Sequence, residues 1–124
     1  MILVDTSVWI DHLHRAAPRL VDALENENVA THPFVIGEIA CGEIARRKEV
    51  LALLSTLPSS TVATDEEALR FIEHHRLMRK GIGYIDAHLL ASVMLTNGAT
   101  LWTRDKRLSV IAAQLQEKQL RRRR

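Results

Sequence analysis

Disulfides are the first thing this sequence does without: it has one cysteine, Cys41, so no internal bridge can form. That usage suits a reducing cytoplasm. No apolar run approaches the roughly 20 residues that a spanning helix needs, so no membrane segment is expected. The first residues do not read as a secretory leader either, since a basic start is missing and Asp5 interrupts the apolar stretch almost at once. Internal repeats, low-complexity segments and linkers are also absent. The 124 residues are enough for one domain with a real core and too few for two, so residues 1–124 are expected to form a single unit.

A basic body is missing as well, despite the net charge of +2. Four of the 17 Lys and Arg residues are Arg121 to Arg124, which leaves 13 basic against 15 acidic residues in the rest. The pI near 9.0 therefore owes much to the last residues and is no evidence of a nucleic-acid-binding surface. From about residue 117 the chain reads as a basic tail, equally a solvated, disordered end and a grip for phosphates.

What is present alternates. Ile2-Leu3-Val4 reads as a strand, and Ser7 is placed to cap a short helix carrying Val8, Trp9, Ile10 and Leu13. Pro18 opens a second helix through Leu24, residues 28–31 make a second strand, and Pro33 opens a helix through Cys41. An amphipathic segment runs from about Ile44 to Leu57, Thr61 to Thr64 reads as a third strand, and Asp65 is placed to cap a helix to about Met78. After the Gly81-Ile82-Gly83 turn come a periodic helix over Tyr84 to Thr96, a fourth strand over Ala99 to Thr103, and a helix from about Arg107. Strands alternating with helices predict an α/β fold, a central parallel sheet with helices on both faces and a ligand crevice at the strand C-termini.

Most acids have ordinary explanations. Asp11 has Arg15 four residues on, and Glu43 has Arg46 and Arg47 at three and four, as helix-surface ion pairs do. Asp65, Glu66 and Glu67 suit a helix N-terminus. Four acids lack such an account. Asp5 and Asp105 each follow an apolar strand, while Glu38 and Asp86 project from the apolar stripes of their helices. In a parallel sheet the first and fourth strands end on the same side, so the four carboxylates are expected to share one pocket. There they would repel one another unless a cation neutralised them. An all-oxygen donor set suits Mg²⁺ or Mn²⁺ rather than zinc, and the six histidines show no zinc spacing.

The segments MILVDTSVWID, PFVIGEIACGE, GIGYIDAHLLASVM and TLWTRDKRL, in that order and spacing, resemble the four signature segments of PIN-domain ribonucleases, specifically the VapC-like toxins of bacterial toxin-antitoxin pairs. The resemblance spans nearly the whole chain. It implies a PIN-like, Rossmann-like three-layer sandwich with four or five parallel strands. It further implies a metal-dependent endoribonuclease in which Asp5, Glu38, Asp86 and Asp105 hold one or two Mg²⁺ or Mn²⁺ ions, with the hydroxyls of Ser7 and Thr103 assisting. A helix cap and a strand-end hydrogen bond account for those two hydroxyls equally well.

Also implied are a homodimer and a cognate VapB-like antitoxin whose C-terminal segment covers the active site. Where many relatives carry a last short strand, IAAQLQEKQLRRRR reads as helical and then basic. Attack by a metal-activated water rather than by the ribose 2′-hydroxyl would leave 5′-phosphate and 3′-hydroxyl ends. An acidic pocket cannot itself attract RNA, so phosphate contacts are expected from Arg104, Lys106 and Arg107, from Arg76, Arg79 and Lys80, and from Arg46, Arg47 and Lys48. Trp9 and Tyr84 are candidates for base stacking, though aromatics beside apolar helix residues more often pack in cores.

Three other readings compete. A receiver-like signalling domain would use Asp65 as phosphoacceptor with Lys106 nearby, but it expects an acidic pair after the first strand, where this chain has Asp5-Thr6. A haloacid-dehalogenase-like phosphatase needs an Asp-x-Asp element that Asp5-Thr6-Ser7 does not supply. A PIN domain that has lost activity and only binds a partner sits poorly with an intact set of four acids.

Overall fold

A computed structural model describes residues 1–123 of the chain. The order is β1 (Ile2–Val4), α1 (Thr6–His14), α2 (Pro18–Glu25), β2 (Val29–Ala30), α3 (Pro33–Ala40), α4 (Arg47–Thr56), α5 (Asp65–His75), α6 (Tyr84–Leu95), β3 (Thr100–Trp102) and α7 (Lys106–Arg123). All strand pairs are parallel, in the order β2-β1-β3, with Leu3 opposite Ala30 on one side and Leu101 on the other. The α/β class and the helix-flanked parallel sheet are as expected. Three strands stand where four or five were anticipated.

The missing strand is the one expected at Thr61 to Thr64. Pairing there shrinks to one parallel bridge, Thr31 opposite Ser59. Thr31 N–H donates to the Pro58 carbonyl and Ser60 N–H to the Thr31 carbonyl. The chain then turns away, because Thr64 rather than Asp65 caps α5, in a reciprocal pair with Glu67. α7 continues through Arg123, so residues expected as a disordered tail are helical to that point. Arg124 lies outside the described residues.

Two apolar clusters hold these layers together. Leu3 and Val4 of the central strand pack with Val8, Trp9, Leu20, Val35, Ile39 and Leu54 from α1 to α4. Leu77, Leu108, Ile111 and Leu115 form the second cluster. Helix α6 serves both, sending Leu89 and Val93 to the first and Ala87 and Leu90 to the second, which is why Ala87 to Val93 are buried without a break. A helix apolar all round belongs in an interior, and its rigid N-terminus becomes a platform for whatever side chains stand there. Buried Trp9 is a core residue rather than a base-stacking one.

Candidate functional site

Asp5 ends the central strand and begins the first helix. Its N–H still bonds the Trp102 carbonyl, 2.9 Å away, as the last rung beside β3. Its side chain accepts from Thr6 N–H at 2.7 Å and so caps α1, the part expected of Ser7. Ser7 Oγ donates to Asp5 Oδ2 at 3.0 Å, and Thr103 Oγ1 donates to the same oxygen at 2.7 Å. A carboxylate only 7% exposed is thereby given three donors, which offset the cost of leaving water. Both hydroxyls expected beside the acids are therefore at Asp5.

β3 delivers the next acid. Thr103 Oγ1 accepts from Asp105 N–H at 3.1 Å, and Ser7 Oγ accepts from Arg104 N–H at 3.0 Å, so residues 103–105 are laced to the start of α1. Asp105 Oδ1 accepts from Arg107 N–H at 2.9 Å and from Leu108 N–H at 3.2 Å, capping α7. Asp86 stands in the first turn of α6, where Oδ2 accepts from Gly83 N–H at 3.2 Å. Glu38 is on α3 but is exposed rather than turned inward as anticipated, because Val35 and Ile39 take the core face. Thr6 Oγ1 donates to Glu38 Oε1 at 2.8 Å and brings it to the rim above Asp5. Thr6 was not singled out from the sequence; the adjacent hydroxyls of Asp5-Thr6-Ser7 were the available sign.

Asp86 reports on the company it keeps. Burial is the main influence pushing its carboxyl above the usual range. The negative charges of Asp5, Asp105 and Glu38 push the same way, against the pull of the Gly83 N–H. Acids from three other segments thus bear on Asp86 at one end of the sheet. Among the described residues no three His, Cys, Asp or Glu side chains already stand as a ligand set. The reason is visible locally: Asp86, Asp105 and Glu38 have each turned onto a nearby N–H or hydroxyl. The donor chemistry still fits a hard divalent cation, since every acidic group is an oxygen ligand and the raised Asp86 carboxyl is what a positive charge would relieve.

The basic residues divide. Arg79, Lys80, Lys106 and Arg107 line one cleft of about 490 Å³, with Met78 and Val110 at its side. In the turn before α6, Arg79 and Gly81 both have positive φ, 61° and 76°, and Arg79 and Lys80 are exposed. A Cβ at Gly81 would meet the Arg107 guanidinium at 2.5 Å, which is why glycine lets Arg107 lie across this turn. Arg104 is held elsewhere, 3.0 Å from Asp11, and Asp11 does not take the Arg15 partner expected of it. Arg46 pairs with Glu49 and Arg47 donates to the Ala40 carbonyl, so neither makes the expected pair with Glu43. Asp65 accepts from the Tyr84 hydroxyl at 2.7 Å and from His88 Nε2 at 3.2 Å, which gives that acid structural work.

Comparison with known proteins adds independent findings. A family model described as PIN domain matches residues 2–114. Two curated proteins called Ribonuclease VapC32, from Mycobacterium tuberculosis strains CDC 1551 / Oshkosh and ATCC 25618 / H37Rv, are each similar to this chain. Both are 51% identical over 114 residues, covering 92% of this chain and 92% of theirs.

Proposed function

This chain belongs to the PIN-domain family, in its VapC-like branch, and on that premise we propose that it is a divalent-metal-dependent endoribonuclease, the toxin of a toxin-antitoxin pair. The observation that carries the reading is the raised Asp86 carboxyl facing Asp5, Asp105 and Glu38 at the C-terminal end of a parallel sheet.

In this reading Asp5, Asp86 and Asp105 hold one or two Mg²⁺ or Mn²⁺ ions, and Glu38 completes the set from the rim. A bound ion of this kind supplies an activated water and shields phosphate charge. The protein's residues do the rest. Ser7 and Thr103 donate to Asp5 Oδ2 and thereby restrain the rotation of a carboxylate that would serve as a ligand. Thr6 steers Glu38. The cleft of Arg79, Lys80, Lys106 and Arg107 takes RNA phosphates next to Asp105 and brings the scissile bond to the acids. Arg104 contributes once it leaves Asp11. None of these side chains is a covalent nucleophile in this scheme; water rather than the ribose 2′-hydroxyl attacks, so hydrolysis leaves 5′-phosphate and 3′-hydroxyl ends.

The partners follow from the same surface. A cognate VapB-like antitoxin lies over the acidic centre, and the cleft between α1 and α4, with Ile10, Leu13, Val50 and Leu53, offers its apolar residues a seat. A homodimer belongs to the same reading, on the likeness to the VapC-like family. No helix among the described residues is long and apolar enough to cross a membrane, and the proposed place of action is the cytoplasm.

An RNA cleavage assay with Mg²⁺ or Mn²⁺, and with EDTA as control, tests the proposal. Cleavage that stops with EDTA and yields 5′-phosphate ends is expected. Products carrying 2′,3′-cyclic phosphate would overturn the mechanism.

A further inference from the structure

Two large apolar side chains stand half in solvent just before and at the start of α6: Met78 is 46% exposed and Tyr84 43%. Scattered singly, such residues need no account, but these two line the same hollow of about 180 Å³ together with Leu77, Ile82 and Ala87. Its wall is core. Leu77, Ile82 and Ala87 all belong to the second apolar cluster, so the hollow is backed by packed side chains. The volume falls below the roughly 300–1,000 Å³ of a site for a drug-sized molecule, and suits one flat ring system.

Its position joins the two halves of the proposed site. Met78 also lines the cleft of Arg79, Lys80, Lys106 and Arg107, so the apolar wall is continuous with the basic one. Gly83 lines the hollow as well, and its N–H donates to Asp86 Oδ2 at 3.2 Å. Tyr84 is held in place between them. Its hydroxyl donates to Asp65 Oδ1 at 2.7 Å, and its ring meets His88 edge to face, with centroids 4.7 Å apart and an interplanar angle of 90°. A ring already ordered gives up little entropy when another ring stacks on it.

We propose that this hollow is a subsite for one unpaired nucleobase of the RNA, stacked on Tyr84 and backed by Met78 and Ile82, while the adjoining phosphates rest on the cleft. Tyr84 is then a specificity-determining residue. A base enclosed in a duplex cannot enter, so the RNA is engaged where a nucleotide is splayed out of its stack. The four cations beside the hollow favour this guest over an apolar side chain of a protein partner, which brings no negative charge for them to meet. The proposal rests on the reading of the chain as a ribonuclease with the cleft as its phosphate grip.

Binding to a short oligouridine and to an abasic ribose-phosphate chain of the same length, both with EDTA so that neither is cut, separates bases from phosphates. Wild type should prefer the oligouridine about tenfold, within what one base stacked on an aromatic ring contributes. Tyr84→Leu should abolish that preference. Tyr84→Phe, which keeps the ring and loses only the bond to Asp65, should retain it within about threefold. Lys80→Glu should weaken both chains by the same factor and leave the preference intact. Wild type with no preference overturns the subsite, and so does a Tyr84→Leu variant that weakens both chains equally, the mark of a purely structural residue. The ribonuclease reading fails in a different way, by wild type that binds neither chain or by a Lys80→Glu variant that binds both as well as wild type, and either result overturns the subsite with it.

Discussion

The acidic centre and the basic cleft are neighbours, joined at Asp105 and Lys106, yet they are built on opposite terms. Around Asp5 the protein gathers like charges and meets their cost with donors: Thr6 N–H, Ser7, Thr103 and the helix starts that hold Asp105 and Asp86. In the cleft, Arg79, Lys80, Lys106 and Arg107 stand in solvent, and flexible side chains need no such framework. On the proposed function, precision is concentrated where a small ion would be held, and reach is left where a long polyanion would slide and settle.

The contrast breaks most sharply if the acids prove dispensable. Asp86→Asn and Asp5→Asn should lower kcat about a thousandfold, since on the proposed function several kcal/mol of transition-state stabilisation depend on the ion they would hold. Asp86→Asn should also keep or raise the thermal midpoint of metal-free protein, because it removes a carboxylate whose ionisation folding disfavours. A smaller effect is expected in the cleft. Lys80→Glu and Arg107→Glu should raise KM for RNA about tenfold each with little change in kcat, and should flatten the salt dependence of binding. If they lower kcat instead, the cleft is part of the chemistry.

Acid sharpens the comparison further. Burial and neighbouring charge hold the Asp86 carboxyl above its ordinary 3.8, so protons and the metal compete for it at a pH where an ordinary aspartate is already ionised. Without metal, Asp86 contributes a destabilisation that grows as pH rises from 3.8 through its raised folded value and is complete above it. Mn²⁺ affinity should therefore fall as pH drops through that raised value, while RNA binding by the guanidinium and ammonium groups should hold. A calorimetric titration series against pH would detect the split. The smallest change is expected from Asp11→Ala. It frees Arg104 from an exposed ion pair worth about 0.2–1 kcal/mol, so stability should barely move and KM should fall no more than about twofold.

Much of the make-up of the candidate site was legible in the sequence. An apolar strand that runs into an aspartate stands out, and the sequence has two, at Asp5, which is buried, and at Asp105, which is exposed. The alternation of strands and helices placed both at one edge. Glu38 was found for a partly mistaken reason. In PFVIGEIA nearly every position is apolar, so the pattern could not tell which side Val35 and Ile39 would claim.

Thr61 to Thr64 has strand-like residues but no free neighbour to pair with beyond Ser59, and pairing depends on distant chain that local propensity does not see. Arg15 is the i+4 partner of Asp11, yet the tertiary fold offered Arg104. Spacing revealed the acids because strand ends are local features. It could not reveal side chains whose meaning is a contact across the fold.

The central claim is that Asp5, Asp86 and Asp105 hold a divalent ion at the end of the sheet. Anomalous diffraction from crystals grown with Mn²⁺ tests it most directly. The account predicts a peak within bonding distance of carboxylate oxygens of all three aspartates, with Glu38 turned toward it from the rim. A saturating soak that leaves those oxygens on their present helix-cap partners and places manganese elsewhere would contradict it.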